Sequence, residues 1–358
     1  MGTISANTIL PMPRRKLEVR QFVPEITPYT LVALMALVAT FGVEPELLCE
    51  GMTFSGHDLA MGTLVSNRQA WRMIRRALRL TGRPDLGLAL GQWEKLSDLG
   101  LTGIATSVQR TFGDAVALAL LDQNQNGSLV IQELDLSSEA DFAVLIARPR
   151  IADASLQPFL VEELFGSALM VARGLLGADF AVSAIEFTYP APSYVDRYHA
   201  VFACPMAFNC PQNRVFIERR WLATPLPGAS PVMAAELNAL IQRRASAMAA
   251  PADIAATVEA LLAREDRVAF SITKTAQILD MSVRTLRRRL DEAGTSFRQL
   301  SDRSRARVAM ELLHSQRLTV ATVGQRLGFS DVRAFRRAFK RWQGQVPGVL
   351  RHGAGRTE

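Results

Sequence analysis

The stretch "SVRTLRRRL" (282–290) carries four arginines within nine residues and keeps its apolar residues at helical spacing. At about 100° per residue, Val283, Leu286 and Leu290 fall on one face of a helix. A second stretch, "VRAFRRAF" (332–339), repeats the pattern with valine and two phenylalanines on the apolar face. The sequence therefore predicts two arginine-rich amphipathic helices, each burying one side.

Each arginine-rich helix follows a shorter predicted helix and a tight turn. The segment "TAQILDM" (275–281) precedes the first, "VGQRLGF" (323–329) precedes the second, and each has a small residue three positions before a leucine. Ser282 and Ser330 are the predicted N-caps of the arginine-rich helices. Two helices joined by a short turn, with a small residue where they cross, form a helix-turn-helix motif. The predicted recognition helices cover residues 282–293 and 331–342 approximately.

The side chains opposite the two apolar faces occupy the same angular positions in both helices. The arginine fork can donate two hydrogen bonds to guanine, and short side chains such as Thr or Ala can contact a thymine methyl group. A solvated surface helix is the alternative, but it does not account for two copies in register. The predicted base-contacting residues are Arg284, Thr285, Arg288, Arg333, Ala334 and Arg337. Flanking cations and predicted helix caps are expected at DNA phosphates: Thr273, Arg287, Thr319, Arg336, Lys340 and Arg341.

The segment between the two motifs has the length needed to space them on DNA. Residues 297–315, "FRQLSDRSRARVAMELLHS", form one predicted helix, and 19 residues span about 28 Å. Successive major grooves on one side of B-DNA are about 34 Å apart. One chain is therefore expected to contact two adjacent grooves, covering about 17–20 base pairs.

The charge of the chain is concentrated at its C-terminal end. Residues 251–358 contain 20 basic and 11 acidic residues, whereas residues 1–250 contain 21 and 23. This asymmetry favours an anionic partner, double-stranded DNA, for the C-terminal module. The longest apolar run, residues 30–43, is shorter than the roughly 20 residues that span a bilayer. A cytoplasmic protein without membrane contact is the expectation.

The N-terminal part has a different pattern. Runs rich in β-formers at 127–136 and 140–149 predict a hairpin, two further strands are predicted at 182–190 and 213–221, and 156–177 predicts an apolar helix. The expected fold is an α+β N-terminal domain followed by an all-α DNA-binding domain with two helix-turn-helix motifs joined by a long helix. The predicted boundaries are a flexible tail (1–27), the α+β domain (28–225), a helical connector (226–264), the DNA-binding domain (265–351) and a tail (352–358).

The motif "LGFSDVRAFRRAFKRWQGQVPGVLR" (327–351) resembles the C-terminal signature of the AraC-type transcription regulators. The segments "MSVRTLRRRLDEAGTSF" (281–297), "YPAPSYVDRYHAVFACPMAFN" (189–209) and "WLATPLP" (221–227) resemble the subgroup with an α+β rather than a cupin N-terminal domain. The sequence departs from the usual pattern at Arg333, often Ser, and at Val323-Gly324, usually Ile-Ala. The resemblance implies that the α+β N-terminal domain (28–225) is an effector domain, which senses a small molecule. We expect this effector-sensing domain also to dimerise, and the protein to be a homodimeric regulator, an activator that works with RNA polymerase.

The N-terminal domain offers few candidates for chemistry of its own. His57 and His199 are the only histidines that precede the DNA-binding domain, and neither lies in a nucleophile or metal motif. Cys204 and Cys210 lack metal-ligand spacing. We therefore expect that the protein is not an enzyme and that it binds no cofactor and no metal. An aromatic-rich segment is the candidate pocket for an apolar or amphipathic effector, with core packing as its alternative: Phe187, Tyr189, Tyr198, Phe202, Phe208 and Trp221. The alternative function is a ligand-independent regulator whose N-terminal domain only dimerises or binds a protein partner.

Overall fold

The computed structural model of the chain describes residues 24, 26–123, 127–150, 153–248, 254–262, 270–315, 318–344 and 346–347. Pro24–Ala250 form one compact unit, and the residues from Pro251 onwards belong to a second. The two predicted tails lie outside the described residues, except for residues 24, 26 and 27 at the end of the N-terminal tail. There Ile26 is buried and exchanges backbone hydrogen bonds with Val65. Within the described part of the chain, no helix is both long and apolar enough to cross a membrane.

The N-terminal unit begins with a layer of short helices. Several start at a residue whose side chain closes a capping box: Ser55, Ser66 and Thr111 each accept a hydrogen bond from the backbone N–H three residues later. These local signals fix where the helices begin, while buried leucine, methionine and alanine side chains hold them together. The helices are α1 (Tyr29–Thr40), α2 (Gly56–Ala60), α3 (Asn67–Thr81), α4 (Leu86–Trp93), α5 (Leu101–Ser107) and α6 (Phe112–Leu121).

A mixed five-stranded sheet follows, in the order β1-β2-β5-β3-β4. The predicted hairpin is present, with Val130 opposite Pro149. All neighbouring strands are antiparallel except β3 and β4, which are parallel. The two-residue strand β4 was not predicted, because so short a segment has no periodicity. The strands are β1 (Val130–Asp135), β2 (Phe142–Pro149), β3 (Ala184–Glu186), β4 (Met206–Ala207) and β5 (Asn213–Glu218).

The long helix α7 (Gln157–Leu176) packs between the sheet and the helical layer. It crosses α4 at unusually short range because both helices carry glycine at the crossing. A Cβ atom on Gly91 would lie 2.7 Å from the Glu163 carbonyl oxygen and 2.9 Å from Gly166 Cα. Only hydrogen side chains allow this backbone approach, so the α4–α7 crossing is specified by its glycines.

The residues predicted as one connector form helices that pack in different units. After α8 (Val195–Phe202) and α9 (Arg219–Leu222), α10 (Pro231–Met248) packs on α5 and α6. The next helix, α11 (Ile254–Leu262), packs among the helices of the second unit. Residues 226–264 thus include the chain segment that links the two units.

The second unit is entirely helical in its described part. Two clusters of buried side chains form its core, one around Leu286 and Leu290 and the other around Phe335 and Phe339. The long helix α14 contributes to both clusters, with Leu300 in the first and Leu312 in the second. The two-domain architecture and the α+β and all-α classes are as predicted. The helices are α12 (Ile272–Ile278), α13 (Val283–Glu292), α14 (Phe297–Ser315), α15 (Val320–Arg326) and α16 (Val332–Gln343).

Candidate nucleic-acid interface and effector cavity

The arginine-rich helices α13 and α16 begin at strong caps. Ser282 accepts a hydrogen bond from the Thr285 N–H at 3.0 Å, as predicted. The second helix begins one residue later than predicted, because Asp331 rather than Ser330 is its N-cap and accepts from the Ala334 N–H at 2.7 Å. A carboxylate at this position also interacts favourably with the helix dipole, which a serine hydroxyl does less well.

Burial along the two helices repeats in register. Leu286 and Leu290 in α13, like Phe335 and Phe339 in α16, are at most 1% exposed. The six predicted base-contacting residues lie away from these side chains. In each helix the two arginines predicted to contact bases are exposed, and the threonine or alanine that follows the first of them is partly exposed. The fold thus presents matching arginine pairs, Arg284 and Arg288 in α13, Arg333 and Arg337 in α16.

The turns before the two helices have equivalent geometry. Asp280 has φ of 50° and Gly328 has φ of 81°, so both motifs turn through a left-handed residue at the same position. Asp is one of the few non-glycine residues that tolerate this conformation. At the helix crossing, a Cβ on Gly324 would lie 3.2 Å from Phe335 Cβ. The large side chain of Phe335 therefore packs closely against Gly324, the position at which alanine is usual.

The predicted phosphate-contacting residues differ in how free they are. Arg287, Arg336 and Lys340 are exposed, whereas Arg341 pairs with Asp302 of α14 at 3.0 Å. Thr319 is the N-cap of α15, as predicted. The N-cap of α12 is Ser271 and not the predicted Thr273, which lies inside the first turn because the helix begins two residues earlier than expected.

In the N-terminal unit, the predicted aromatic pocket is for the most part a packed cluster. Phe187 is fully buried and its ring centroid lies within 6.2 Å of those of Tyr189, Tyr198, Phe202 and Phe208. The sixth predicted residue, Trp221, lies apart from this cluster and packs against Phe180.

A buried carboxyl group, Glu162, lies at the edge of the aromatic cluster and accepts hydrogen bonds from two tyrosines. Tyr194 donates to Glu162 Oε1 at 2.7 Å, and the Tyr198 hydroxyl donates to the same oxygen. Burial raises the pKa of Glu162 to about 7, although both tyrosine hydrogen bonds oppose this shift.

A cavity of about 150 Å³ lies beside this cluster, between α7, α6 and the sheet. Of the six predicted pocket residues only Phe202 lines it. The wall is mostly apolar, and the predominance of leucine, valine and alanine explains why an aromatic pattern did not reveal it. Representative lining residues are Val116 and Leu120 of α6, Leu164 and Leu169 of α7, and Leu145 and Val215 of the sheet.

Two carboxyl groups, Glu94 and Glu163, interrupt the apolar wall. They are 3% and 5% exposed, and they are hydrogen-bonded to each other, with Thr30 as a further partner of Glu94. Burial and the charge of Glu163 raise the pKa of Glu94 well above its ordinary range, and burial also raises the pKa of Glu163. Neither residue was predicted from the sequence as part of a pocket. The acidic pair "EE" (162–163) inside the apolar stretch 156–177 was the available signal.

The outer side of the same helical layer holds α10. Ile241 of α10 packs with Ala105 and Leu118 of α5 and α6. The Gln109 side-chain amide donates to Asn238 at 3.0 Å. Arg244 pairs at 2.8 Å with the fully buried carboxylate of Asp122. Helix α6 therefore contacts the cavity with one face and α10 with the other.

The candidate metal ligands do not assemble in the part of the chain that the structure describes. Cys49, Cys204 and Cys210 are free thiols. No group of three histidine, cysteine, aspartate or glutamate side chains is close enough to hold an ion among those residues.

Two capped, arginine-bearing helices on separate hydrophobic cores, joined by one long helix, define a double helix-turn-helix DNA-binding protein with an additional α+β domain. Comparison with known families agrees. Residues 42–226 match the arabinose-binding domain of AraC transcription regulators, N-terminal, and residues 275–353 match a helix-turn-helix domain. The chain belongs to the AraC-type transcription regulators, of the subgroup whose N-terminal domain is not a cupin. The resemblance derived from its sequence motifs is confirmed.

Similar proteins span nearly the whole chain. The ornithine utilization regulator of Pseudomonas aeruginosa is 29% identical over 340 residues, which cover 92% of this chain and 97% of that protein. An uncharacterised helix-turn-helix transcriptional regulator of Mycobacterium tuberculosis is 31% identical and covers 76% of this chain and 80% of its own length. The crystal structure of the regulator CdpR from Pseudomonas aeruginosa is 26% identical, covers 83% of this chain and 96% of that one, and gives a TM-score of 0.44.

Proposed function

We propose that this regulator recognises a specific two-part DNA site by placing α13 and α16 in adjacent major grooves. The observation that supports it most directly is the register of the two helices: exposed arginines occupy equivalent positions on both, opposite equivalent buried side chains. A helix that only faces solvent has no need for this repetition. The 19-residue helix α14 supplies a separation close to one turn of DNA, about 34 Å.

The roles within each helix follow from chemistry. Arg284 and Arg333, near the N-termini, donate to guanine edges, and Arg288 and Arg337 extend the contact by one helical turn. Thr285 and Ala334 contact thymine methyl groups. The exposed cations Arg287, Arg336 and Lys340 meet phosphates, as do the first turns of α12 and α15. Phosphate has to compete with Asp302 for Arg341, so this residue contributes least.

Replacing Arg284 or Arg333 with alanine is expected to cost about 1–3 kcal/mol at one base step and to relax sequence preference there. Lys340→Ala is the matched control: it is expected to weaken all sites equally and to lower the salt dependence of binding by about one phosphate. The measurement is selection of bound fragments from a random duplex library at about 150 mM salt. The wild type should enrich two sequence blocks with centres about 10 base pairs apart.

Two outcomes of that selection would contradict the base-contacting roles. One is an equal loss of affinity for every sequence in the Arg284→Ala variant, which would assign this residue to phosphate. The other is diffuse enrichment by the wild type, which would make the protein a non-specific DNA binder.

We further propose that the N-terminal domain senses a small molecule in its cavity. Helix α6 supports this proposal, because it lines the cavity through Val116 and Leu120 and holds α10 through Leu118. Residues 249–253 then connect α10 to α11, which packs in the DNA-binding unit. A ligand that binds one arrangement of α6 more tightly than another shifts the protein toward that arrangement. The free energy of DNA binding can then change by no more than the difference between the ligand's two binding free energies, typically 1–3 kcal/mol. A domain that only dimerises does not need the cavity.

A further inference from the structure

The cavity contains an acidic pair without a cation. Glu94 lies at the end of α4 and Glu163 in the middle of α7, and each is more than nine-tenths buried. No ion pair to either carboxyl group is present among the described residues, although other buried carboxylates such as Asp85 and Asp122 are paired with arginine. A buried carboxylate normally has such a partner. The two carboxyl groups bond to each other but have no cationic partner among the described residues.

The other polar groups of the wall already have partners. The Thr106 hydroxyl donates to the Gly103 carbonyl at 2.9 Å, and the Ser167 hydroxyl donates to the Leu164 carbonyl at 3.2 Å. The side chain of Gln132 donates to Ser128 at 3.0 Å. The carboxyl pair is thus the main site at which a ligand's donors would be recognised, and the remaining surface offers apolar contact.

We propose that the cavity binds a small primary amine, with its ammonium group at the Glu94–Glu163 pair and its apolar body against α6, α7 and the sheet. The proposal rests on the proposed effector-sensing function and names the ligand class for it. An ammonium group has three donors and so can bond to both carboxyl groups at once. A cavity of about 150 Å³ matches a body about the size of benzene.

The wall also indicates which amines are excluded. Its lining residues include no lysine, arginine or histidine among the described residues. The carboxylate of a free amino acid would therefore be buried without a cationic partner, which strongly disfavours its binding. The ligand is expected to be an amine without a carboxylate, which separates it from amino acids such as ornithine.

The protonation of the Glu94–Glu163 pair agrees with this assignment. Burial and mutual repulsion raise the pKa of Glu94, and Asp98 adds a further negative charge beside it. The pair therefore retains a proton when the cavity is empty, since two like charges in an apolar wall repel. A bound ammonium group would reduce the repulsion between the two carboxyl groups, as the retained proton does in its absence.

The test is calorimetric titration of the full-length protein at pH 7.5 with n-alkylamines of four to six carbons, the matching alcohols and carboxylic acids, and ornithine. The amine is expected to bind at least tenfold more tightly than the alcohol or acid of equal length, and more tightly than ornithine. Glu163→Gln should weaken amine binding at least tenfold and leave alcohol binding within a few-fold.

Two further variants control for folding and for location. Glu162→Gln makes the same change at the adjacent residue, which faces the tyrosines and not the cavity, and it should bind the amine within twofold of wild type. Ala172→Phe, a cavity-lining position, should abolish binding by filling the space. Thermal unfolding of each variant establishes that it is folded before it is titrated.

The outcomes separate this proposal from the proposed function. Tight amine binding that is lost in Glu163→Gln and Ala172→Phe supports it. Tighter binding of alcohols or acids, blocked by Ala172→Phe, overturns the amine class but retains the cavity as the effector site. Absence of binding by all classes, while the wild type still selects its two-block DNA site, overturns the cavity assignment and leaves DNA recognition intact.

Discussion

Gly91→Ala is expected to lower the free energy of unfolding of the N-terminal domain by about 3 kcal/mol. The added methyl group would lie 2.7–2.9 Å from backbone atoms of Glu163, Gly166 and Ser167. Backbone atoms cannot rotate away as a flexible side chain can, so α4 and α7 must separate. Urea unfolding followed by tryptophan fluorescence measures the change, since Trp71, Trp93 and Trp221 all lie in this domain.

Gly174→Ala is the matched control for this substitution. Gly174 is on the exposed side of α7, and its Cβ would meet nothing within 4 Å. There alanine should stabilise the domain by up to about 1 kcal/mol, because it favours the helix over the unfolded chain. Equal behaviour of the two variants would show that the glycines at the crossing do not determine the helix spacing.

The stability of the N-terminal domain is expected to fall as pH rises from about 5 to about 8. Burial raises the pKa of Glu162 from 4.5 to about 7, so between these values the folded state holds a proton that the unfolded state has lost. This contribution is fully present below the unfolded pKa and is lost as pH rises through the folded pKa. For Glu162 it amounts to about 3 kcal/mol. Glu94 and Glu163, whose pKa values are also raised by burial, act in the same direction.

The Glu162→Gln variant separates the contribution of Glu162 to the pH dependence of stability from the contributions of the other carboxyl groups. The variant should match wild type near pH 5 and exceed its free energy of unfolding by about 3 kcal/mol near pH 8, where the wild-type carboxyl is ionised in the core. Glu236→Gln changes an exposed glutamate of α10 and should follow the wild-type profile. Parallel pH profiles for Glu162→Gln and wild type would mean that Glu162 is ionised in the folded protein throughout this range. Urea titrations at pH 5, 6, 7 and 8 decide between these results.

The DNA-binding unit could be predicted closely because its signals are local. Helix period, caps and turns act over a few residues, and the helix predicted for 297–315 has the same limits as α14. The errors were equally local: Asp331 caps α16 in place of Ser330, and Ser271 caps α12 in place of Thr273. In both cases two neighbouring residues compete for one position, and the sequence pattern does not distinguish them.

The cavity could not be predicted from local patterns. The aromatic residues near 187–221 suggested a pocket, but most of them pack around Phe187, while leucine, valine and alanine residues from α6, α7 and the sheet enclose the space. Glu94 and Glu163 are far apart in sequence and meet only because the glycines of α4 and α7 let these helices approach. A void is what the side chains of several elements leave unfilled, so its position depends on how they pack.

The sequence by itself determined the two helix-turn-helix motifs, their spacing and the arginine faces that α13 and α16 present, because each depends on the order of residues within one helix or turn. Only the tertiary structure showed that the buried carboxyl groups Glu94 and Glu163 line an internal cavity. It also showed that α6 contacts this cavity on one face and α10 on the other. The properties of a buried carboxyl group depend on the groups packed around it, and here those groups come from residues that are distant in the chain.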